Sequence, residues 1–275
     1  LGLAFRRLYL QPQVCEPGAE CAEPIVLPLR GVKTATELQR VRDAIAHGDR
    51  LFADIAEFAR IGTSERAVYD HVHRLMRERG LGFSWDPAGD PIVNSGPDSM
   101  IGHGVPSESI AIAPGHIFHV DLGVVLDGYS SDVQRCWYVP HSDEGELPDD
   151  VQRAFVAVNA AIDAAASVLK PGVAGHVADA AARAEIVRQG YPEYMHAVGH
   201  QVGRSAHDGG TLLGPTWDRY GNSPHGQVRA GEIYTLELGV TPPGRGYLGL
   251  EEMVLVTDRG VEWLTDRPGR LPFLG

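Results

Sequence analysis

Apolar residues in the first third of the chain recur at helical spacing. They predict one helix over residues 34 to about 60, whose first four residues T-A-T-E have the form of a capping box. They predict a second helix over about 64–79, and Gly80 is expected to end it. Residues 1–33 are rich in Pro, Gly and Glu, and we expect an irregular N-terminal arm or the remnant of a missing domain there.

The rest of the chain alternates strand-like and helical patterns. Residues 81–108 are loop-rich, strands are predicted between about 109 and 139, and helices are predicted over 148–169 and 175–189. Strand-like runs return at 196–202, 232–240 and 250–257. The order of two helices, strands, two helices and strands predicts an α+β fold in which a duplicated unit shares one sheet. The two halves are too dissimilar in sequence to show duplication by themselves.

Three carboxylates stand in the strand-like segment HVDLGVVLDGYSSDVQRCWYV, residues 119–139. The dipeptide Asp127–Gly128 is a strong signal for a two-residue hairpin turn. With that turn, Asp121 and Asp132 project from the same face, because side chains alternate along a strand. Two acids side by side on a buried face repel unless a cation lies between them, whereas on an exposed face they cost little. The hairpin alone therefore permits a divalent-metal site or a solvated face. The opposite face carries Val120, Leu122 and Val124, which are expected to pack on a helix.

The C-terminal half favours the metal site. His200 lies in the Gly-flanked run HAVGHQVG, and Glu237 and Glu251 each interrupt an apolar strand, as Asp121 does. Four carboxylates carry a charge of about −4, which two divalent cations would balance. One imidazole among oxygen ligands suits Mn²⁺, Co²⁺, Fe²⁺ or Zn²⁺ better than Ca²⁺.

Net charge and cysteine content limit which classes of partner and which cellular compartment are expected. The net charge of −12 argues against a nucleic-acid-binding surface and against an anionic membrane as partner. No apolar run is long enough to span a bilayer, and no signal peptide is visible, although the chain begins at Leu1. Cys15, Cys21 and Cys136 do not make a disulfide framework. We expect free thiols and a cytoplasmic location, with a single Cys15–Cys21 bridge as the alternative.

This pattern resembles the pita-bread metallopeptidases, which include methionine aminopeptidases, aminopeptidase P and prolidases. The resemblance covers roughly residues 30–265 and implies one pita-bread domain over 34–275, with pseudo-twofold helix-helix-strand units around a curved sheet. It also implies two divalent metal ions per chain, with Mn²⁺ favoured over Co²⁺, Zn²⁺ or Fe²⁺. The residues that match the family's metal ligands are Asp121, Asp132, His200, Glu237 and Glu251.

Three further histidines match positions around the family's active site. His103 in IGHGVP resembles the histidine near the substrate's amino-terminal side, and His207 resembles the one that contacts the scissile carbonyl or leaving group. His196 is typical of the prolidase and aminopeptidase P branch. His116 and His119 stay undecided, although His119 shares a face with Asp121 and could support the ligands. The remaining histidines are expected at the surface: His47, His71, His73, His141, His176 and His225.

The resemblance implies an exopeptidase that removes the first residue of short peptides, with proline second. In that mechanism Glu237 binds metal and carries a proton from water to the leaving nitrogen, while His196 and His207 donate hydrogen bonds to the carbonyl oxygen. The alternatives are a methionine aminopeptidase, a non-catalytic pita-bread binding module and a creatinase-type hydrolase without metal. A homodimer is left open.

Two departures from the family pattern concern the residues beside the ligands. Leu238 stands where prolidase-like members usually have proline, and Gly249 stands where they usually have an arginine that braces a ligating aspartate. Metal affinity or substrate preference is therefore in doubt. Arg204, Arg219 and Arg229 are the arginines nearest the site in sequence, but none has a motif that marks it as a clamp for a dipeptide's carboxylate. We therefore expect tripeptides and longer peptides to be cleaved at least as well as dipeptides.

Overall fold

Two pairs of α-helices and an N-terminal α-helix make up the α-helical part of the computed structural model, which describes residues 23–100 and 105–275. The first pair follows the sequence prediction closely, since Thr34 caps its first helix in a complete capping box with Glu37, and Ser64 caps its second. Within the described residues, no helix has the length and apolar character needed to cross a membrane. The helices are α1 (Glu23–Gly31), α2 (Ala35–Phe58), α3 (Glu65–Glu78), α4 (Asp149–Val168) and α5 (Gly175–Arg188).

The strands form a six-stranded antiparallel sheet and a three-stranded one. The larger sheet has the order β2-β3-β6-β8-β7, with β9 also paired to β8, and the smaller one has the order β1-β4-β5. The strands are β1 (Gly82–Phe83), β2 (Ile92–Ser95), β3 (Ile117–Leu122), β4 (Val124–Leu126), β5 (Tyr129–Ser130), β6 (Val133–Tyr138), β7 (Ile233–Val240), β8 (Leu248–Thr257) and β9 (Gly260–Trp263).

The two helix pairs are built in the same way. Gly62 and Gly172 take positive φ angles of 90° and 86° in the turn between the helices of each pair. An isolated β-bridge follows each turn, at Ser64 in the first pair and Ala174 in the second. These matching positions, together with similar strands after each pair, give the duplicated architecture that the sequence similarity was too weak to show.

The two helix pairs cover one face of the sheet and leave the other for polar side chains. Val120 and Leu122 pack with α2 and α3 in one core cluster. Leu236 and Leu250 pack with α4 and α5 in the other. These apolar residues alternate with Asp121, Glu237 and Glu251, so the acids project from the face opposite the helices.

The predicted hairpin turn is confirmed. Asp127 and Gly128 have φ angles of 50° and 75°, and Leu126 pairs with Tyr129 across the turn. The hairpin bends at Gly123, between β3 and β4. A Cβ there would lie 2.4 Å from the Cβ of Ser84, so the close approach of the preceding loop requires glycine.

Two predictions of irregular or extended structure are wrong. Residues Glu23–Gly31, expected to be irregular, form α1, which is anchored where Arg30 pairs with Asp208 and Arg229 donates to the carbonyl of Pro28. Residues 196–202, expected to be a strand, make only isolated bridges. The conformation of both segments depends on contacts with residues far away in the sequence. A local sequence pattern cannot predict such contacts.

Candidate metal centre

Strand register places a row of polar side chains across the centre of the large sheet. Asp121 on β3 lies opposite Gln134 on β6, and Gln134 lies opposite Glu251 on β8. Glu251 in turn lies opposite Glu237 on β7. Directly opposed residues share a face, so four neighbouring strands direct these side chains to one place. Asp132, two residues before Gln134, is on the same face by strand alternation.

His200 reaches this row from a segment that runs beside β7. Its backbone carbonyl accepts a hydrogen bond from the amide of Thr235 (2.9 Å), and its own amide donates to the Thr235 hydroxyl (3.1 Å). The preceding Gly199 permits this approach, because a Cβ there would lie 2.0 Å from the carbonyl oxygen of Thr235. The glycine before His200 therefore has a structural reason.

The histidine and the acids converge at short distances. His200 Nε2 lies 3.6 Å from Asp132 Oδ2, 3.5 Å from Glu237 Oε1 and 3.9 Å from Glu251 Oε1. Asp132, His200 and Glu251 each offer one potential ligand atom within 4.8 Å of the others. Two ligand atoms that bind one ion at about 2.1 Å can lie up to about 4.2 Å apart. The three distances to His200 Nε2 are within that limit.

The donor set fits a divalent cation in two further respects. Asp121 Oδ1 and Glu251 Oε1 are buried acceptors that have no hydrogen-bond partner among the described residues. His200 Nδ1 faces the carbonyl oxygen of Gln201 at 3.4 Å, so the ring proton belongs on Nδ1 and the lone pair of Nε2 points toward the acids. Buried acceptors without donors are the groups that a cation satisfies.

Burial shifts the protonation of the cluster toward neutral forms. It raises the pKa of Glu237 to about 8, with the charge of Asp121 adding to the effect. Burial, followed by the neighbouring carboxylates, also raises the pKa values of Asp121, Asp132 and Glu251 well above the usual range. Burial lowers the pKa of His200, and nearby His207 lowers it further. A bound cation would reverse the shifts of the acids, because it favours their charged forms.

The other predicted site histidines differ in their placement. The half-buried ring of His207 lies 4.2 Å from the ring of His200, centroid to centroid. His196 is exposed and its ring lies 5.6 Å from that of Tyr194, whose hydroxyl pKa is raised by burial and by charges that include Glu237. His103 lies outside the described residues.

The two histidines left undecided by the sequence, His119 and His116, have different surroundings. His119 is buried and its ring nitrogens face Asn94 Oδ1 (3.1 Å) and Gln134 Oε1 (3.0 Å), which makes it a neighbour of the acids. Burial lowers the pKa of His119 to about 4. His116 instead packs on Gly96, where a Cβ would lie 2.2 Å from its Nδ1.

Sequence reasoning missed three polar residues that support the site. Fully buried Asp90 accepts hydrogen bonds from the amides of Ser84 (2.9 Å) and Gly123 (3.2 Å), and burial raises its pKa to about 8. Arg183 pairs with Asp179 and donates to the carbonyl of His196 (2.9 Å), holding the loop that carries this histidine. Gln134 is the third of these residues, and its place two residues after Asp132 is the signal that could have put it on the same face.

A model of metallopeptidase family M24 matches residues 39–258. The chain belongs to metallopeptidase family M24. This membership confirms the resemblance drawn from the five residues, and it implies the use of a divalent metal. The α+β pita-bread fold is likewise confirmed by the solved structures of the family that this M24 chain resembles.

Several relatives of this M24 chain are named for Xaa-Pro substrates. It is 30% identical over 246 residues to the Xaa-Pro dipeptidase of Pyrococcus furiosus, a match that covers 88% of this chain and 65% of that protein. It superposes with a TM-score of 0.78 on the X-Pro aminopeptidase of Thermotoga maritima, at 27% identity, covering 91% of this chain and 66% of the other. The Xaa-Pro dipeptidase of Bacillus anthracis gives the same TM-score at 31% identity, covering 90% and 66%. The chain thus spans about two thirds of the length of these relatives.

Proposed function

We propose that this M24 chain is a metal-dependent exopeptidase that cleaves the bond after a peptide's first residue where proline is second. The observation that carries the proposal is the approach of His200 Nε2 to Asp132 (3.6 Å), Glu237 (3.5 Å) and Glu251 (3.9 Å). Strand register supports Asp121 as a further ligand, since it sets Asp121 on the same face of the sheet as the two glutamates. The Xaa-Pro names of the relatives support proline in the second position.

The residues proposed to hold two divalent ions are Asp121, Asp132, His200, Glu237 and Glu251. When bound, the ions would lower the pKa of a water molecule and polarise the scissile carbonyl. Mn²⁺ is the proposed metal, and Co²⁺, Zn²⁺ and Fe²⁺ are the alternatives that the same donors accept.

Glu237 is proposed to move the proton during hydrolysis. Its side chain is 19% exposed, whereas that of Glu251 is 2% exposed, so Glu237 is the glutamate that substrate and water can reach more readily. Its Oε1 faces His200, and its Oε2 accepts a hydrogen bond from Gln134 (3.1 Å). A carboxylate held in this way can take a proton from water and give it to the leaving nitrogen of proline.

His207 and His196 are proposed to donate hydrogen bonds to the carbonyl oxygen as charge develops on it. The closeness of the two imidazoles supports this role, since the ring centroids of His207 and His200 lie 4.2 Å apart. The exposure of His196 suits a group that meets substrate at the rim of the site. His103 completes the proposed set, on the resemblance alone.

The three candidate arginines have other contacts, which supports cleavage of peptides longer than two residues. Arg229 pairs with Glu232 at 2.9 Å, and Arg219 lies over the ring of Trp217 at 4.5 Å. Arg204 lies over Tyr129 at 5.7 Å. None of them is required to bind a substrate carboxylate, so the proposal includes Xaa-Pro tripeptides and longer peptides.

The proposed setting is a reducing, cytoplasmic one. It is supported by buried Cys136, which is a free thiol, and by the few cysteines in the sequence. The net charge of −12 supports short peptides rather than nucleic acid or an anionic membrane as partners. A homodimer is compatible with the proposal.

A peptide panel supplied with Mn²⁺ tests the substrate assignment. We expect hydrolysis of Xaa-Pro peptides, with tripeptides and longer ones cleaved at least as fast as dipeptides, because Arg204, Arg219 and Arg229 each contact other residues. Met-Ala-type peptides are the control. Preferential cleavage of those would make the chain a methionine aminopeptidase, and a strict dipeptide preference lost on Arg204→Ala, Arg219→Ala or Arg229→Ala would make it a dipeptidase.

A further inference from the structure

Gln134 occupies the middle of the polar row and binds both glutamates. Its side-chain amide donates to Glu237 Oε2 (3.1 Å) and to Glu251 Oε2 (3.0 Å). With a cation bound the glutamates are ionised and only accept hydrogen bonds, so in that state the nitrogen of this amide faces them. The other oxygen of each glutamate, Oε1, is the atom that faces His200 Nε2. One amide group therefore binds Oε2 of both glutamates, while Oε1 of each points toward the proposed metal site.

A row of buried polar side chains leads from Gln134 to Glu65. Its Oε1 lies 3.0 Å from His119 Nε2, and His119 Nδ1 lies 3.1 Å from Asn94 Oδ1. Asn94 donates to Ser99, and Ser99 donates to Glu65. All of these side chains are buried. Neutral His119 carries one ring proton, and with that proton on Nε2 it donates to Gln134 Oε1. This hydrogen bond favours the orientation in which the amide nitrogen of Gln134 faces the glutamates.

Two glycines on neighbouring strands leave space for the side chains of Gln134 and Tyr247. Gly239 and Gly249 are paired across β7 and β8, on the same face as the acids. A Cβ on Gly249 would lie 2.7 Å from Gln134 Oε1 and 2.3 Å from the ring of Tyr247. A Cβ on Gly239 would lie 2.3 Å from the same ring. Any larger side chain at residue 249 would displace Gln134 or Tyr247. The side chain of Gln134 can therefore take its observed position only because residue 249 is glycine.

We propose that Gln134 is a positioning residue that orients Glu237 and Glu251 for divalent-metal binding, in a chain whose Gly249 offers no side chain for that purpose. Because the amide is neutral, it orients the glutamates without cancelling any of their charge, and the full negative charge of the cluster remains available to the metal. The inference rests on the proposed function, since it concerns the metal affinity of the same site.

Titration of Mn²⁺ into the chelator-treated full chain, followed by calorimetry, tests the role. Gln134→Met keeps the length of the side chain but removes both donors. We expect Mn²⁺ to bind at least about 10-fold more weakly, the usual lower end when a group that orients ligands is lost. With an Xaa-Pro peptide, kcat should fall at limiting Mn²⁺ and recover as Mn²⁺ is raised, while KM for the peptide is unchanged, because Gln134 is not proposed to touch substrate.

Thr265→Val is the matched control. Thr265 is buried, and its hydroxyl accepts a hydrogen bond from the amide of Met253 (3.2 Å) and donates one to the carboxylate of Glu252. Glu252 projects from the face of β8 opposite to the proposed metal site. This control should lose stability and keep Mn²⁺ affinity. If Gln134→Met does not fold by circular dichroism, Gln134→Asn decides, since its shorter amide cannot reach both glutamates.

The outcomes separate this inference from the proposed function. Folded Gln134 variants with the Mn²⁺ affinity of the parent chain would overturn the positioning role alone, as would an equal loss of affinity in Thr265→Val. A parent chain that binds no Mn²⁺ would overturn the positioning role together with the proposed metal site.

Discussion

Single residues in this site are defined by which atom faces which neighbour. His200 directs Nε2 at the acids because Nδ1 faces a backbone carbonyl. Glu251 Oε1 is buried and has no hydrogen-bond partner in the described part of the chain. Glu237 differs from Glu251 in being accessible, with 19% of its side chain exposed. The same carboxylate chemistry can therefore serve two roles, metal binding at both glutamates and proton transfer at Glu237.

Replacing Glu237 by Gln tests the proton-transfer role. Gln keeps the volume and one carbonyl oxygen but cannot carry the proton, so we expect kcat at saturating Mn²⁺ to fall by at least about 10²-fold. Asp127→Asn is the matched control, because it makes the same acid-to-amide change at the exposed hairpin turn, where the φ of 50° suits Asn. Turnover by Glu237→Gln close to that of the control would assign the proton transfer to another group.

At the scale of elements, helix caps and tight turns were predicted correctly, because they depend on residues close together in the sequence. The capping box at Thr34, the Asp127–Gly128 turn and the glycine at residue 80 each act within a few residues, and each is found where it was predicted. The five proposed ligands also followed from strand alternation and the resemblance. The role of Gln134 did not, because it depends on the pairing of β6 with β8, whose contacting residues lie 117 apart in sequence. For the same reason α1 and the segment that carries His200 were misassigned.

The approach of the His200 segment to β7 can be tested at Gly199. In Gly199→Ala the new Cβ would meet the Thr235 carbonyl at 2.0 Å, and backbone atoms must move. We expect the free energy of unfolding to fall by about 1–3 kcal/mol, the usual cost of overpacking, and Mn²⁺ affinity to fall with it because His200 is displaced. Urea unfolding and calorimetry measure the two effects. Gly145→Ala is the control, since nothing lies within 4 Å of its Cβ, and equal stability of the two variants would contradict the account.

At the scale of the molecule, the sheet carries its charge in one place. Both helix pairs cover the opposite face, so the core stabilises a structure whose polar face concentrates Asp121, Asp132, Glu237 and Glu251. Without a cation these buried acids repel one another, and their raised pKa values are the result. The stability of the whole chain should therefore depend on pH and on metal together.

The metal-free chain should lose stability as pH rises. Burial raises the pKa of Glu237 from 4.5 to about 8, so the folded chain keeps a proton that the unfolded chain releases in that window. The folded state binds more protons, and its stability therefore falls between about pH 4.5 and about pH 8. The other three acids and Asp90 shift in the same direction. The lowered pKa values of His119 and His200 oppose this fall below about pH 6.5, because the unfolded chain binds protons there that the folded chain does not. Melting temperatures of the chelator-treated chain should therefore decrease most between about pH 6.5 and about pH 8, and Mn²⁺ should reduce the decrease. A pH-independent melting temperature would contradict the buried acid cluster.

Metal content and activity, measured on the same preparation, test the central claim most directly. The purified chain is analysed for bound metals, stripped with a chelator, assayed on an Xaa-Pro tripeptide, and titrated back with Mn²⁺. The account predicts about two divalent ions per chain, loss of hydrolysis on stripping and recovery as the ions return. Undiminished hydrolysis by a chain that holds no metal would contradict it.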